Sequence, residues 1–290
     1  MCAWLGIEKI YDGGVQMSLT KERELELREL CRRFRIDVLT AIHAAQSGHP
    51  GGSLSVCEIL TLLYQERMNI DAARPDDPDR DRLVLSKGHA APMLYRNLVE
   101  KGYLPADAMA SLRKTNSELQ GHPCNHTPGV EMPAGPLGLG LAAAQGMALG
   151  LKLNGSPARV YAVLGDGEQN EGAVWEAAMS APKFALDNLC AVTDYNKVQL
   201  DGTTNEIMPL RDLAAKWRAF GWHVIECDGN DLAALDAAFD EAEATKGVPT
   251  MIIAHTIKGK GVSFMEGKSA WHGKAIDDDS FAQAMKELGV

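Results

Sequence analysis

Apolar residues recur at Leu27, Leu30, Cys31, Phe34, Val38 and Ile42, the spacing of one face of a long helix over 20–46. The run stops at Ser47-Gly48-His49-Pro50-Gly51-Gly52, where glycine and proline interrupt regular structure. The pattern then predicts a helix over 56–68, a polar loop over 73–79, and a short strand over 83–85 ending at Ser86-Lys87-Gly88-His89. Helices are expected over 90–101, 105–114 and 137–153. Beyond them the rhythm becomes regular: strand 159–164, helix 172–184, strand 189–194, helix 210–220, strand 222–227, helix 231–246, strand 250–257, and a final helix at the end of the sequence, Glu287-Leu288-Gly289-Val290. Apolar strands alternating with helices of this length predict an α/β fold, a mostly parallel sheet covered by helices on both faces. In such sheets ligands gather at the carboxyl ends of the strands, near a topological switch point. The residues just past the strands are therefore the ones to inspect.

Composition narrows the picture. A chain of 290 residues, 46% apolar and 23% charged, is an ordinary globular sequence with length enough for one large core. Residues 1–17 read as an N-terminal extension and 18–290 as a single domain. A net charge of −10 argues against nucleic acid and anionic membrane as partners. An anionic cofactor would have to be met locally, by a bound cation, backbone amides or a helix terminus. The six cysteines are dispersed without a Cys-x-x-Cys pair, the usage of reduced cytoplasmic thiols rather than a disulfide framework or zinc site. No apolar run is long enough to span a membrane, and the first residues lack the form of a secretory signal, so the expected compartment is the cytoplasm.

Candidate chemistry appears where the fold argument places it. Gly165-Asp166-Gly167 directly follows the apolar strand Val160-Tyr161-Ala162-Val163-Leu164, and Asn196 ends the next strand. One βαβ crossover separates them, so adjacent parallel strands would bring Asp166 and Asn196 side by side. Alone, the tripeptide marks only a strand-end turn. With Asn196 it offers a few hard oxygen ligands suited to Mg²⁺, or to Ca²⁺ or Mn²⁺ in its place, completed by diphosphate oxygens. A helix starting near Glu171 would add free amides. The overlapping Gly138-Leu139-Gly140-Leu141-Ala142-Ala143 has dinucleotide-type spacing but follows no strand, and Lys258-Gly259-Lys260-Gly261 lacks Walker spacing. Four of eight histidines, His49, His89, His122 and His272, sit in glycine- and proline-rich turns, where converging imidazoles can bind hydroxyls and move protons.

Gly-Asp-Gly followed some thirty residues later by Asn resembles the thiamine-diphosphate enzymes. Ser47-Gly48-His49-Pro50-Gly51, Leu85-Ser86-Lys87-Gly88-His89, Gly121-His122-Pro123, Gly135-Pro136-Leu137-Gly138, Glu171-Gly172, Lys258-Gly259-Lys260-Gly261 and Trp271-His272-Gly273 resemble transketolases in particular, in that family's order along nearly the whole chain. The resemblance implies thiamine diphosphate as cofactor, with Asp166, Asn196 and the Val198 carbonyl as metal ligands and Gly167 against the diphosphate. It implies that Gly135, Pro136 and Leu137 lie along the cofactor and that His89 and His272 contact it. His49 and His272 would touch substrate and move protons, and His122 would face the sugar hydroxyls. Glu171 reads equally as a helix-terminal carboxylate or as part of an acid cluster at a subunit interface. The implied activity is transfer of a two-carbon ketol unit from a ketose phosphate to an aldose phosphate. In this family the glutamate that activates the cofactor belongs to a pyrimidine-binding domain, expected here on a separate C-terminal subunit in an α2β2 assembly. The alternatives are a relative specialised for a sulfonated or branched ketose, the α subunit of a 2-oxoacid dehydrogenase, and a noncatalytic cofactor-binding subunit. Turns carrying histidine fit the dehydrogenase poorly, because it handles acyl groups rather than polyols.

Overall fold

A computed structural model of the chain describes residues 19–290, so the extension expected over 1–17 lies outside the described residues. Five strands, β1 (Arg82–Leu85), β2 (Val160–Gly165), β3 (Leu189–Tyr195), β4 (His223–Asp228) and β5 (Thr250–His255), form one sheet in the order β1-β2-β3-β5-β4. Every neighbouring pair is parallel. The α-helices among the described residues are α1 (Lys21–Ala45), α2 (Pro50–Ser55), α3 (Cys57–Leu62), α4 (Ala91–Lys101), α5 (Leu139–Leu153), α6 (Gly172–Lys183), α7 (Thr204–Ile207), α8 (Leu213–Ala219), α9 (Leu232–Ala244) and α10 (Asp278–Glu287).

Successive strand residues point to opposite faces, and both faces here are covered. On β2, Tyr161 and Val163 join a core with Phe34 and Val38 of α1, Ile59 of α3, Leu94 of α4 and Phe239 of α9. Val160, Ala162 and Leu164 join a second core with Ala144 of α5, Ala178 of α6 and Trp217 of α8. Burial on both sides is why the strands read as unbroken apolar runs.

The strand order positions the site. From β1 through β3 the chain advances across the sheet, with α5 and α6 on one face. From β4 to β5 it steps back, and α9 lies on the other face. Parallel crossovers share one hand, so reversing direction transfers the connecting helix to the opposite face. The carboxyl ends of β3 and β5 are left beside each other at the reversal, which is where a crevice opens.

Two elements differ from the sequence reading. Helix formation begins at Pro50 rather than near residue 56, because proline at the first helical position has no amide to satisfy and a suitable φ. The helix expected over 105–114 is only a 3-10 turn, Ala108–Ser111. Arg113 just beyond it has left-handed backbone at φ +58, and Leu112 and Leu119 anchor the following loop separately in the core.

Candidate active site

The register of β2 on β3 sets Gly165 opposite Asp194, so Asp166 and Asn196 emerge together past the strand ends. Asp166 is buried and accepts from the Gly167 amide at 2.7 Å and the Lys197 amide at 2.5 Å. Asn196 accepts from the Val198 amide at 3.1 Å, folding the chain so that the Val198 carbonyl turns toward the same crevice. Burial, then the neighbouring Asp194 charge, push the Asp166 carboxyl up to about 6. A divalent cation is the group that would restore its charge.

Two buried lysines stand beside these oxygens. Lys87, just past β1, pairs with Asp194 in the interior, and Asp194 also accepts from Ser55, Thr256 and Asn196. Burial pushes Asp194 up, but the Lys87 ammonium and these donors outweigh it and hold the carboxyl below its usual range. Lys258, past β5, donates to the Val198 carbonyl at 3.0 Å, to the Gln199 carbonyl at 3.4 Å and to His272 Nδ1 at 2.9 Å. Burial and the Lys87 charge push Lys258 down to about 8. Because His272 Nδ1 accepts from the ammonium, its ring proton is assigned to Nε2.

The four turn histidines meet. His49 lies 5.5 Å from His89, 5.8 Å from His122 and 5.6 Å from His272 between ring centroids, and His89 lies 4.8 Å from His272. All four are held toward the neutral form. Burial and then the His122 charge push His49 down to about 4, and burial with Lys258 pushes His272 to about 3. His89 is lowered by burial and Lys87, and His122 by burial and Arg113. The remaining histidines lie elsewhere: His43 meets Asp278, His223 meets Glu241, His255 meets Glu226, and His126 is exposed.

Sequence reasoning missed the residue that ties these parts together. Glu168, one residue past Gly167, accepts from the Gly165 amide at 3.0 Å, the Gly138 amide at 2.8 Å and the Ser86 hydroxyl. It thereby fixes the Gly135-Pro136-Leu137-Gly138 loop to the ends of β1 and β2. The amides after Asp166 belong to a 3-10 turn, Gly167–Asn170, and α6 begins only at Gly172. Glu171 is exposed at the head of α6 without a capping bond from its side chain. The sequence marks Lys87 and Lys258 only as members of family-like motifs, with no role given, and does not mark Thr256. The contacts from Lys87 to Asp194, Thr256 to Asp194 and Lys258 to Val198 span 60 to 107 residues, so no local pattern announces them.

The donor set fits a diphosphate and a divalent cation. Among the described residues no group of three His, Cys, Asp or Glu side chains converges on a metal site. One carboxylate, one amide oxygen and one carbonyl instead leave ligand positions for phosphate oxygens and water, the arrangement Mg²⁺ prefers. His49 Nδ1 is buried and, among the described residues, has no hydrogen-bond partner, leaving a polar atom available to a ligand.

A doubly wound parallel sheet with this equipment at its switch point defines a domain of the cofactor-binding α/β class. The chain matches the family described as transketolase, thiamine diphosphate binding domain, over residues 27–290. It is 45% identical to the 6-deoxy-6-sulfo-D-fructose transketolase subunit SqwG of Clostridium sp. (strain MSTE9), covering 92% of this chain and 98% of that one. It is 39% identical to one subunit of the apulose-4-phosphate transketolase of Phocaeicola vulgatus, covering 91% and 93%. A transketolase structure from Pichia stipitis in complex with sedoheptulose-7-phosphate superposes with a TM-score of 0.87 at 32% identity, covering 92% of this chain but 41% of that one. The chain belongs to the transketolase family and is its thiamine-diphosphate-binding part. No helix of the described residues is long and apolar enough to cross a membrane.

Proposed function

We propose that this chain works as one subunit of a two-subunit transketolase, moving a two-carbon ketol unit from a ketose with a terminal anionic group to an aldose. The observation that carries this reading is the group of four neutral imidazoles beside Asp166, Asn196 and Lys258. Bound thiamine diphosphate supplies the electron sink for the transferred unit. The residues here hold and orient it. Asp166, Asn196 and the Val198 carbonyl hold Mg²⁺, with Ca²⁺ or Mn²⁺ able to substitute. The Gly167 amide, His89, His272 and Lys258 face the diphosphate, and Gly135, Pro136 and Leu137 lie along the cofactor. His49 and His272 accept and return protons at the sugar hydroxyls, for which neutral rings are the competent form. His122 faces the polyol.

The relatives named as subunits support a separate pyrimidine-domain partner, and so does one surface. α5 and α6 lie side by side, joined by Gln145 and Ser180 at 2.7 Å. Their outer side exposes Leu139, Ala142, Gly146, Leu153 and Met179, an apolar stripe of the kind partners cover. An α2β2 assembly would cover it. The specialised substrates in the relatives' names favour an unusual ketose over the common sugar phosphates.

The test is reconstitution. The chain alone should bind Mg²⁺ and thiamine diphosphate weakly and transfer no ketol group. Adding the pyrimidine-domain partner should give transfer from a panel of ketose phosphates and sulfonates. Efficient turnover by the single chain would refute the two-subunit reading, and no turnover by the complex with any donor would refute the catalytic one.

A further inference from the structure

Gln199 directly follows Val198, whose carbonyl is assigned to the cation, and its own side chain has no role in the site described above. The chain turns back on itself here. Val198 bridges Thr203 in antiparallel fashion, the Gln199 amide donates to the Gly202 carbonyl at 2.8 Å, and the Thr204 amide donates to the Lys197 carbonyl at 2.9 Å. Thr203 and Glu206 cap α7 reciprocally, which anchors the far side of the turn. On the near side Lys258 donates to the Val198 carbonyl at 3.0 Å and to the Gln199 carbonyl at 3.4 Å. The backbone that carries this carboxamide is therefore fixed from both directions.

The side chain lies against Gly167. A Cβ added to that glycine would stand 3.0 Å from Gln199 Cγ and 3.1 Å from Cδ, closer than such contacts ordinarily come. Gly167 does not have left-handed backbone, so it is room for a neighbour, not conformational freedom, that asks for glycine here. Gln199 takes up that room. Its Nε2 is buried and, among the described residues, has no hydrogen-bond partner. A buried donor left without an acceptor is unfavourable and calls for an explanation. The protein acceptors beside it are already engaged: Asp166 takes the Gly167 and Lys197 amides, and the Val198 and Gln199 carbonyls take Lys258. A ligand lying over Gly167 would supply the missing acceptor, and the group assigned there is a diphosphate, whose ionised oxygens only accept.

We infer that Gln199 is a further cofactor-binding residue, donating from Nε2 to an oxygen of the diphosphate beside the Gly167 amide. The inference rests on the cofactor placement proposed above. A carboxamide provides this donor without adding a third cation beside the buried Lys87 and Lys258.

The experiment titrates the full chain by calorimetry, alone and with its partner subunit, with Mg²⁺ and thiamine diphosphate and separately with Mg²⁺ and inorganic pyrophosphate. Gln199→Met keeps the length and the contact on Gly167 but removes the donor. Gln199→Glu keeps the shape and sets a negative acceptor against the phosphates. Loss of a hydrogen bond to a charged group should make the methionine variant bind both ligands roughly 10–100-fold more weakly, and the glutamate variant should bind them more weakly still. The melting temperature of the ligand-free methionine variant should match or exceed that of the wild type, because an unsatisfied donor has gone. A clear fall would mean that the donor serves the fold instead. Equal affinity of wild type and Gln199→Met for both ligands would reduce the side chain to a cover on Gly167 and overturn the inference. A loss confined to thiamine diphosphate, with pyrophosphate binding intact, would overturn it too, since the donor would then meet the organic part of the cofactor. If the wild type binds neither ligand, alone or with its partner, the cofactor placement itself fails and this inference falls with it.

Discussion

His49 touches three other imidazoles, and among the described residues none of the four has a carboxylate that would keep it protonated. Protonation is instead opposed by burial and by Lys258 and Lys87. This has a sign for stability. The folded values for His49 and His272, about 4 and about 3, lie below the ordinary 6.5, so the unfolded chain binds these protons first as the pH falls. Their contribution is complete above 6.5 and is lost progressively as the pH falls toward those folded values. The melting temperature of the cofactor-free chain should drop across that window, and the His49→Gln, His272→Gln double variant should show a shallower drop; equal slopes would contradict this assignment. The histidines were legible in the sequence because glycine and proline turns set them apart from the helical periodicity. The role of Lys258 was not, because its segment stood out only as a family-like glycine turn without Walker spacing, while its contacts to the Val198 carbonyl and His272 are made by the fold.

At the scale of elements, α1, α3 and the turn after β5 act as one unit. Arg35 of α1 is buried and donates to both oxygens of Glu58 of α3, at 2.7 and 2.8 Å, and to the Lys260 carbonyl at 2.9 Å. Asn230 links Glu58 to the Ile257 amide, next to Lys258. Burial pushes the Arg35 guanidinium down, but the surrounding thiols and Glu58 raise it further, so it stays charged. Glu58→Ala would leave that charge buried without its partner, and breaking such a pair costs about 3–5 kcal/mol. Chemical denaturation should show a loss of that size; a loss below about 1 kcal/mol, the range of a surface pair, would mean the network carries little. The helix pattern predicted α1 and α4–α6 to within a few residues, because amphipathic spacing is local information. It failed over 105–114, where Leu112 and Leu119 bury themselves from a loop and Arg113 breaks the helical backbone.

At the scale of the whole molecule, the exposed side of α5 is the surface proposed above for the partner subunit. Gly146 and Gly150 have no heavy atom within 4 Å of where a Cβ would stand. Glycine inside a helix costs about 1 kcal/mol relative to alanine, and a long straight side chain costs far less. Gly146→Arg should therefore raise the stability of the isolated chain slightly while abolishing assembly with the partner subunit, read by calorimetry on one side and light scattering on the other. Assembly that survives the substitution would place the partner elsewhere.

The distribution of the histidines also sets a clock. The rings that meet at the crevice come from position 49 at one extreme and position 272 at the other. Ribosomes add about 5–20 residues per second, so on the order of ten to forty seconds separate the synthesis of those two residues. For the part of that interval between Asn196 and Lys258, the nascent chain holds Asp166 and Asn196 but neither Lys258 nor His272. A cofactor site assembled from both ends of the chain is complete only once His272 has been made, so the core of the domain has most of the chain in hand before the cofactor meets its full set of contacts.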